Sequence, residues 1–82
     1  MTPRERFAIN LRKARQKKSI SQEELGFRCD LHRTEISLLE RGGREPRLGT
    51  IMKLCGALDT TPQQLCEGVA WLPAKHRFQI KK

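Results

Sequence analysis

Eighty-two residues, 37% of them hydrophobic, are enough for one small domain with a single modest core. A formal net charge of +8 points to a polyanionic partner, either nucleic acid or an acidic membrane surface. No run of apolar residues is long enough to span a bilayer, and Arg12 to Lys18 break up the N-terminal apolar run that a secretory signal needs.

The first predicted helix covers residues 3–18, with Pro3 near its start and Phe7, Leu11 and Ala14 as its apolar stripe; Ile20 packs where the chain turns. The first 20 residues carry seven cations (Arg4, Arg6, Arg12, Lys13, Arg15, Lys17, Lys18) against Glu5 alone. Arg4, Arg6 and Arg12 read as a solvated face. Lys17 and Lys18 sit close enough to the next segment to reach a phosphate.

Residues 21–41 read as two short helices joined by a tight turn. Ser21 and Glu24 have capping-box spacing, and a helix over 22–29 would bury Leu25 and Cys29 on one face. Gly26, costly inside a helix, implies close approach of a neighbour such as another helix. Asp30 tolerates the left-handed conformation of a sharp turn, and Leu31 offers a buried residue inside it. The second helix starts near His32 and stops at Gly42-Gly43, burying Ile36 and Leu39. Arg33, Thr34, Ser37, Leu38 and Arg41 then fall on its opposite side, with Thr34, Leu38 and Arg41 at i, i+4 and i+7. Two arginines, two hydroxyls and one aliphatic side chain supply the donors and apolar contacts that read base edges in a major groove.

A loop over 42–47 precedes a helix over 48–58, whose stripe is Leu48, Ile51, Leu54, Cys55 and Leu58. Thr61, Pro62 and Gln64 make a second capping box for a fifth helix that Leu65 anchors and Gly68 ends. None of these helices is long enough to be stable alone, so they fold as one packed unit. Beyond them, Trp71-Leu72-Pro73 is apolar, and residues 77–81 alternate as a short strand does. The odd cysteines, Cys29, Cys55 and Cys66, have no Cys-x-x-Cys pair and read as buried free thiols of a cytoplasmic protein.

Catalysis finds no support. His32 and His76 are far apart, no His, Cys and carboxylate residues have metal-ligand spacing, and no glycine-rich loop follows a strand. No cofactor or metal is expected.

The segment from Gln22 onwards resembles the helix-turn-helix of the phage repressor and Cro family, often called the XRE family. The resemblance rests on Gln22, Leu25, the small residue at 26, the turn at 30, Ile36, Leu39 and the Glu40-Arg41-Gly42 ending. It continues through Pro46, the 48–58 helix and the Thr61 to Leu65 segment, covering about residues 5–68. Three positions depart from the family pattern. Asp30 stands where glycine is usual, His32 at a helix start that usually carries Ser, Thr or Asp, and Arg47 where Ser or Thr often caps the next helix.

The resemblance implies an all-α, compact five-helix fold in residues 1–68, with residues 69–82 as an apolar and basic tail. It implies that Gln22 and the free N–H groups beside it hold a phosphate. Arg33 would make a bidentate contact with guanine. His32 would lie at the start of the reading helix, Thr34 and Ser37 would serve bases or phosphates, and Leu38 would meet a thymine methyl. Glu35 would accept from a cytosine amino group, repel wrong bases or simply remain solvated. Arg41, Arg44 and Arg47 would touch the backbone or minor groove. Arg15 would pair structurally with Glu40.

The implied partner is double-stranded DNA with a pseudo-palindromic operator, bound by a homodimer built from the fifth helix and the tail residues Val69, Trp71, Leu72, Phe78 and Ile80. The tail could instead fold back over Trp71. The function expected is a sequence-specific transcriptional regulator, repressor or autoregulator. No small-molecule inducer is expected if the chain is complete. An antitoxin-like protein-interaction module on the same fold is the alternative, and charge-driven, non-specific nucleic-acid binding is a third reading.

Overall fold

Helices occupy most of residues 1–81, which are the residues this computed structural model describes. They are α1 (Pro3–Lys17), α2 (Gln22–Cys29), α3 (Arg33–Glu40), α4 (Leu48–Leu58) and α5 (Pro62–Leu65). A two-stranded antiparallel hairpin follows, made of β1 (Val69–Leu72) and β2 (Arg77–Ile80) with a 3-10 turn over Pro73–Lys75 between them. Lys82, the last cation of the expected tail, lies outside the described residues.

Local chemistry sets the helix boundaries. Thr2 and Glu5 form a reciprocal capping box at α1, with Pro3 in the first turn. Thr61 and Gln64 do the same at α5, again with a proline in the first turn. At α2 only half of the expected box exists. Ser21 Oγ accepts from the Glu24 N–H at 3.0 Å, but the Glu24 carboxylate pairs with Arg28 one turn on, at 2.9 Å. Asp30 ends α2 at φ 56°, the left-handed turn residue that the sequence calls for.

One core joins all five helices. Phe7 and Leu11 of α1, Leu25 and Cys29 of α2, Ile36 and Leu39 of α3, Leu54, Cys55 and Leu58 of α4, and Leu65 of α5 form a single buried cluster. Ala14, Ile20, Leu31, Ile51 and Ala57 pack at its edge. Each fully buried leucine or isoleucine contributes about 1.5–3 kcal/mol relative to exposure, which is what holds such short helices in place.

Several expectations are corrected. The fold is not purely helical, because the strand-like segment near the C-terminus finds a partner in Val69 to Leu72, which the sequence reads only as apolar. Helix α5 stops at Leu65, and Gly68, at φ 90°, starts the hairpin. Leu48 is 75% exposed and not part of the α4 stripe. It is the first residue of its helix, where the side chain tilts back past the N-terminus and away from the core. Gly26 is indeed crowded, but by the turn. A Cβ there would lie 2.6 Å from the Leu31 carbonyl oxygen and 3.4 Å from the Arg33 nitrogen.

The tail folds back within the chain. Trp71 and Phe78 face each other across the strands and pack edge-to-face at 5.1 Å between ring centroids. Alternation puts Val69, Trp71, Phe78 and Ile80 on one face of the hairpin and Leu72 with Arg77 on the other. Asn10 fixes the hairpin's root, donating from Nδ2 to the carbonyls of Leu65 (2.8 Å) and Glu67 (2.9 Å).

Candidate nucleic-acid interface

The unit α2–turn–α3 is fixed by its own backbone. The Leu31 N–H donates to the Gly26 carbonyl at 2.8 Å, closing the turn over the glycine that has no Cβ to obstruct it. His32 then caps α3 with its ring. Nδ1 accepts from the Thr34 N–H at 3.0 Å and lies 2.7 Å from Thr34 Oγ1. A backbone N–H can only donate, so Nδ1 is the acceptor in this bond. The histidine therefore does the work of the usual Ser, Thr or Asp.

Gly42, at φ 70°, ends the other end of α3 and packs directly on Glu5 of α1. Leu38 leans over Gly43, where an added Cβ would meet its Cδ1 at 2.5 Å. Between these ends, Arg33, Thr34 and Arg41 are exposed, and Ser37 and Leu38 are half-buried. Arg41 Nε donates to the Ser37 carbonyl at 3.3 Å, holding its stem along the helix. Arg33 shares an open depression with Arg15, Ser21, Gln22 and Glu23, at the N-terminal end of α2.

Behind this face, α1 grips the end of α3. Glu40 is 2% exposed, and both of its carboxylate oxygens bond to Arg15, Nε–Oε2 at 2.6 Å and Nη2–Oε1 at 3.0 Å. The remaining Arg15 nitrogen, Nη1, donates to the Ile20 carbonyl at 2.9 Å. The Glu40 carboxylate beside it pushes the Arg15 pKa up further. Gln22 also turns inward, its Nε2 donating to Glu40 Oε1 at 3.2 Å. The first backbone N–H groups of α2 lie beside that amide and, as at any helix start, have no partner within the helix.

The loop after α3 presents Arg44 and Arg47, both exposed. Arg44 Nη1 reaches back to Glu35 Oε1 at 2.6 Å. With Leu31 and Thr50, these three side chains line an open cleft of about 550 Å³ between α3 and the start of α4. Arg47 is the N-cap residue of α4 and makes no side-chain capping bond. The N-terminal end of α4 therefore opens beside two arginines.

Some residues play parts that the sequence did not disclose. Arg12, taken for a solvated cation, donates to the Glu40 carbonyl, and Arg6 Nε donates to the Glu67 carbonyl at 3.2 Å. The signal for Arg12 was its i, i+3 spacing to Arg15 combined with the free carbonyls at any helix end. Lys18 lies 3.8 Å from Asp59 at the end of α4, a loose pair between two exposed side chains. Cys66 is exposed as a residue rather than buried, but it lines an apolar groove with Phe7, Ile51, Val69 and Phe78, and this partial burial pushes its thiol pKa up. Phe27, on the outer side of α2, is 82% exposed. Among the described residues, no three His, Cys, Asp or Glu side chains converge on a metal position, and no helix is long and apolar enough to cross a membrane.

The helical arrangement is shared with known proteins. The helix-turn-helix family model matches residues 11–65. The control protein C.BamHI of Bacillus amyloliquefaciens is 47% identical over 62 residues, 74% of this chain and 76% of that protein. The crystal structure of the restriction-modification controller protein C.AhdI from Aeromonas hydrophila superposes with a TM-score of 0.73 at 40% identity, covering 76% of this chain and 94% of that one. The DNA-binding domain of the P22 C2 repressor matches with a TM-score of 0.70 at 27% identity, over 80% of this chain and 88% of that one. The chain belongs to the helix-turn-helix family of the phage repressor and Cro (XRE) type, whose members are DNA-binding transcription regulators and not enzymes.

Proposed function

We propose that this chain is a sequence-specific regulator of the controller-protein kind, a repressor or autoregulator that lays α3 in the major groove and acts as a homodimer. The observation that carries this reading is the composition of the outward side of α3. Arg33, Thr34 and Arg41 are exposed there beside Ser37 and Leu38, while Arg44 and Arg47 project from the loop that follows. Attraction by charge alone would not need hydroxyls and an aliphatic side chain set between arginines.

In this reading Arg33 reads guanine O6 and N7, Leu38 meets a thymine methyl, and Thr34 and Ser37 contact bases or phosphates. His32 holds the start of the reading helix. Arg41, Arg44 and Arg47, together with the N-terminal backbone of α2 beside Gln22, bind phosphates and fix the register. Arg15 and Glu40 hold α3 on α1. The two-fold contact is built from the hairpin, through its face of Val69, Trp71, Phe78 and Ile80. Trp71 and Phe78 are each about half exposed in the single chain, at 51% and 49%. Leu72, on the opposite face, is not part of that set.

Titration of matched duplexes tests the roles. Arg33→Ala should lose about 1–3 kcal/mol on the preferred site and relax the preference at one base pair of each half-site. Arg47→Ala should weaken preferred and random duplexes alike and flatten the salt dependence. An Arg33→Ala variant that loses equally on all sequences contradicts base reading by this residue.

A further inference from the structure

Of the four arginines around the reading helix (Arg33, Arg41, Arg44 and Arg47), Arg44 is the one held by a carboxylate among the described residues. Its partner, Glu35, sits in the first turn of α3 itself, and the pair closes at 2.6 Å across the cleft beside Arg47 and Thr50. Glu35 is only one-quarter exposed, whereas Arg44 is more than half exposed. The carboxylate is therefore the fixed member, and the arginine, on its loop, is the one free to leave.

From this geometry we infer that Glu35 and Arg44 form a coupled specificity device, in which the bond between them is exchanged for two bonds to DNA. The inference rests on the placement of α3 in the major groove proposed above. A phosphate competes for Arg44, but taking it strips Glu35 of its partner and leaves a carboxylate facing a polyanion. That cost is offset only where a base donates to Glu35, and the exocyclic amino groups of cytosine and adenine are the donors of the major groove. On any other sequence Arg44 stays neutralised and contributes little to phosphate binding. Glu35 thereby withholds one cation from indiscriminate attraction to DNA. A pair whose arginine is more than half exposed contributes little to folding, so its removal reads out in binding rather than in stability.

The test compares unaltered protein, Glu35→Gln, Arg44→Ala and the double variant on a selected site and on a random duplex, across a salt series. Glu35→Gln should bind the random duplex about three- to ten-fold more tightly, with the slope of log K against log salt steeper by about 0.9, the value for one more phosphate contact. The selected site should gain nothing or lose affinity, so that the ratio of specific to random binding falls about ten-fold. In the Arg44→Ala background the same substitution should leave the slope unchanged. An equal gain in both backgrounds means that Glu35 acts only as a bulk negative charge and overturns the inference, as does an unchanged random-duplex affinity. If the unaltered protein itself shows no preference among sequences, the placement of α3 fails and the inference with it. A protein that selects sequence normally while Glu35→Gln changes neither slope nor ratio defeats the inference alone.

Discussion

Arg15 of α1 and Glu40 at the end of α3, 25 residues apart in the chain, share two bonds, 2.6 and 3.0 Å long. Glu40 also takes the Gln22 amide, so one buried carboxylate gathers α1, α2 and α3. Breaking a buried pair leaves the other charge without compensation, which costs far more than the pair itself contributes. Arg15→Met and Glu40→Gln should each lower stability by about 3 kcal/mol, and the double variant should cost less than the sum, with a coupling of about 1–3 kcal/mol. Thermal or urea unfolding of the four proteins measures it. Additive losses would show that the two side chains do not depend on each other.

The ring of His32 satisfies an N–H that would otherwise have no partner at the start of the reading helix. His32→Ala should therefore cost about 1 kcal/mol of stability, in line with loss of other caps. His32→Asn supplies an acceptor at the same place and should stay within a few tenths of the parent. If alanine is tolerated as well as asparagine, the ring bond contributes nothing.

Two glycines make a matched contrast. At Gly26 a Cβ meets backbone of the turn at 2.6 Å, and backbone cannot step aside as a flexible side chain can. At Gly56, in the exposed part of α4, a Cβ meets nothing within 4 Å. Gly26→Ala should cost more than about 2 kcal/mol and separate α2 from α3, whereas Gly56→Ala should stabilise by up to about 1 kcal/mol. Melting temperatures of the two variants should move in opposite directions. Equal shifts would mean that the turn does not press on α2.

How much of this was legible in the sequence follows from the range of the interactions. Helices α2 and α4 were readable to the residue, because caps, stop signals and the 3.6-residue stripe are local. The turn at Asp30 was readable for the same reason. Leu48 was misplaced because periodicity counts positions and does not know that a first helical residue points back past the end. The hairpin was half readable. Residues 77–81 alternate, but Val69 to Leu72 is plainly apolar, and only pairing with residues 77–80 makes it a strand. At the site, the outward stripe of α3 follows from spacing alone. The Arg44–Glu35 bond does not, since it spans nine residues and a glycine-rich turn. Arg12 and Gln22 look like surface residues until the buried end of α3 is seen to need donors. Their partners are long-range contacts, and no local rule reports them.

Two copies of α3 are proposed to read sequence from one duplex. Selection of bound sites from random duplex DNA tests it most directly, with the unaltered chain and Arg33→Ala run side by side. The expected result is an inverted repeat with half-sites centred about 34 Å apart, one helical turn, or a multiple of it. Arg33→Ala should recover the same repeat with one guanine position in each half relaxed. Uniform recovery of sequences by the unaltered chain, or a single unrepeated site indifferent to Arg33, would contradict it.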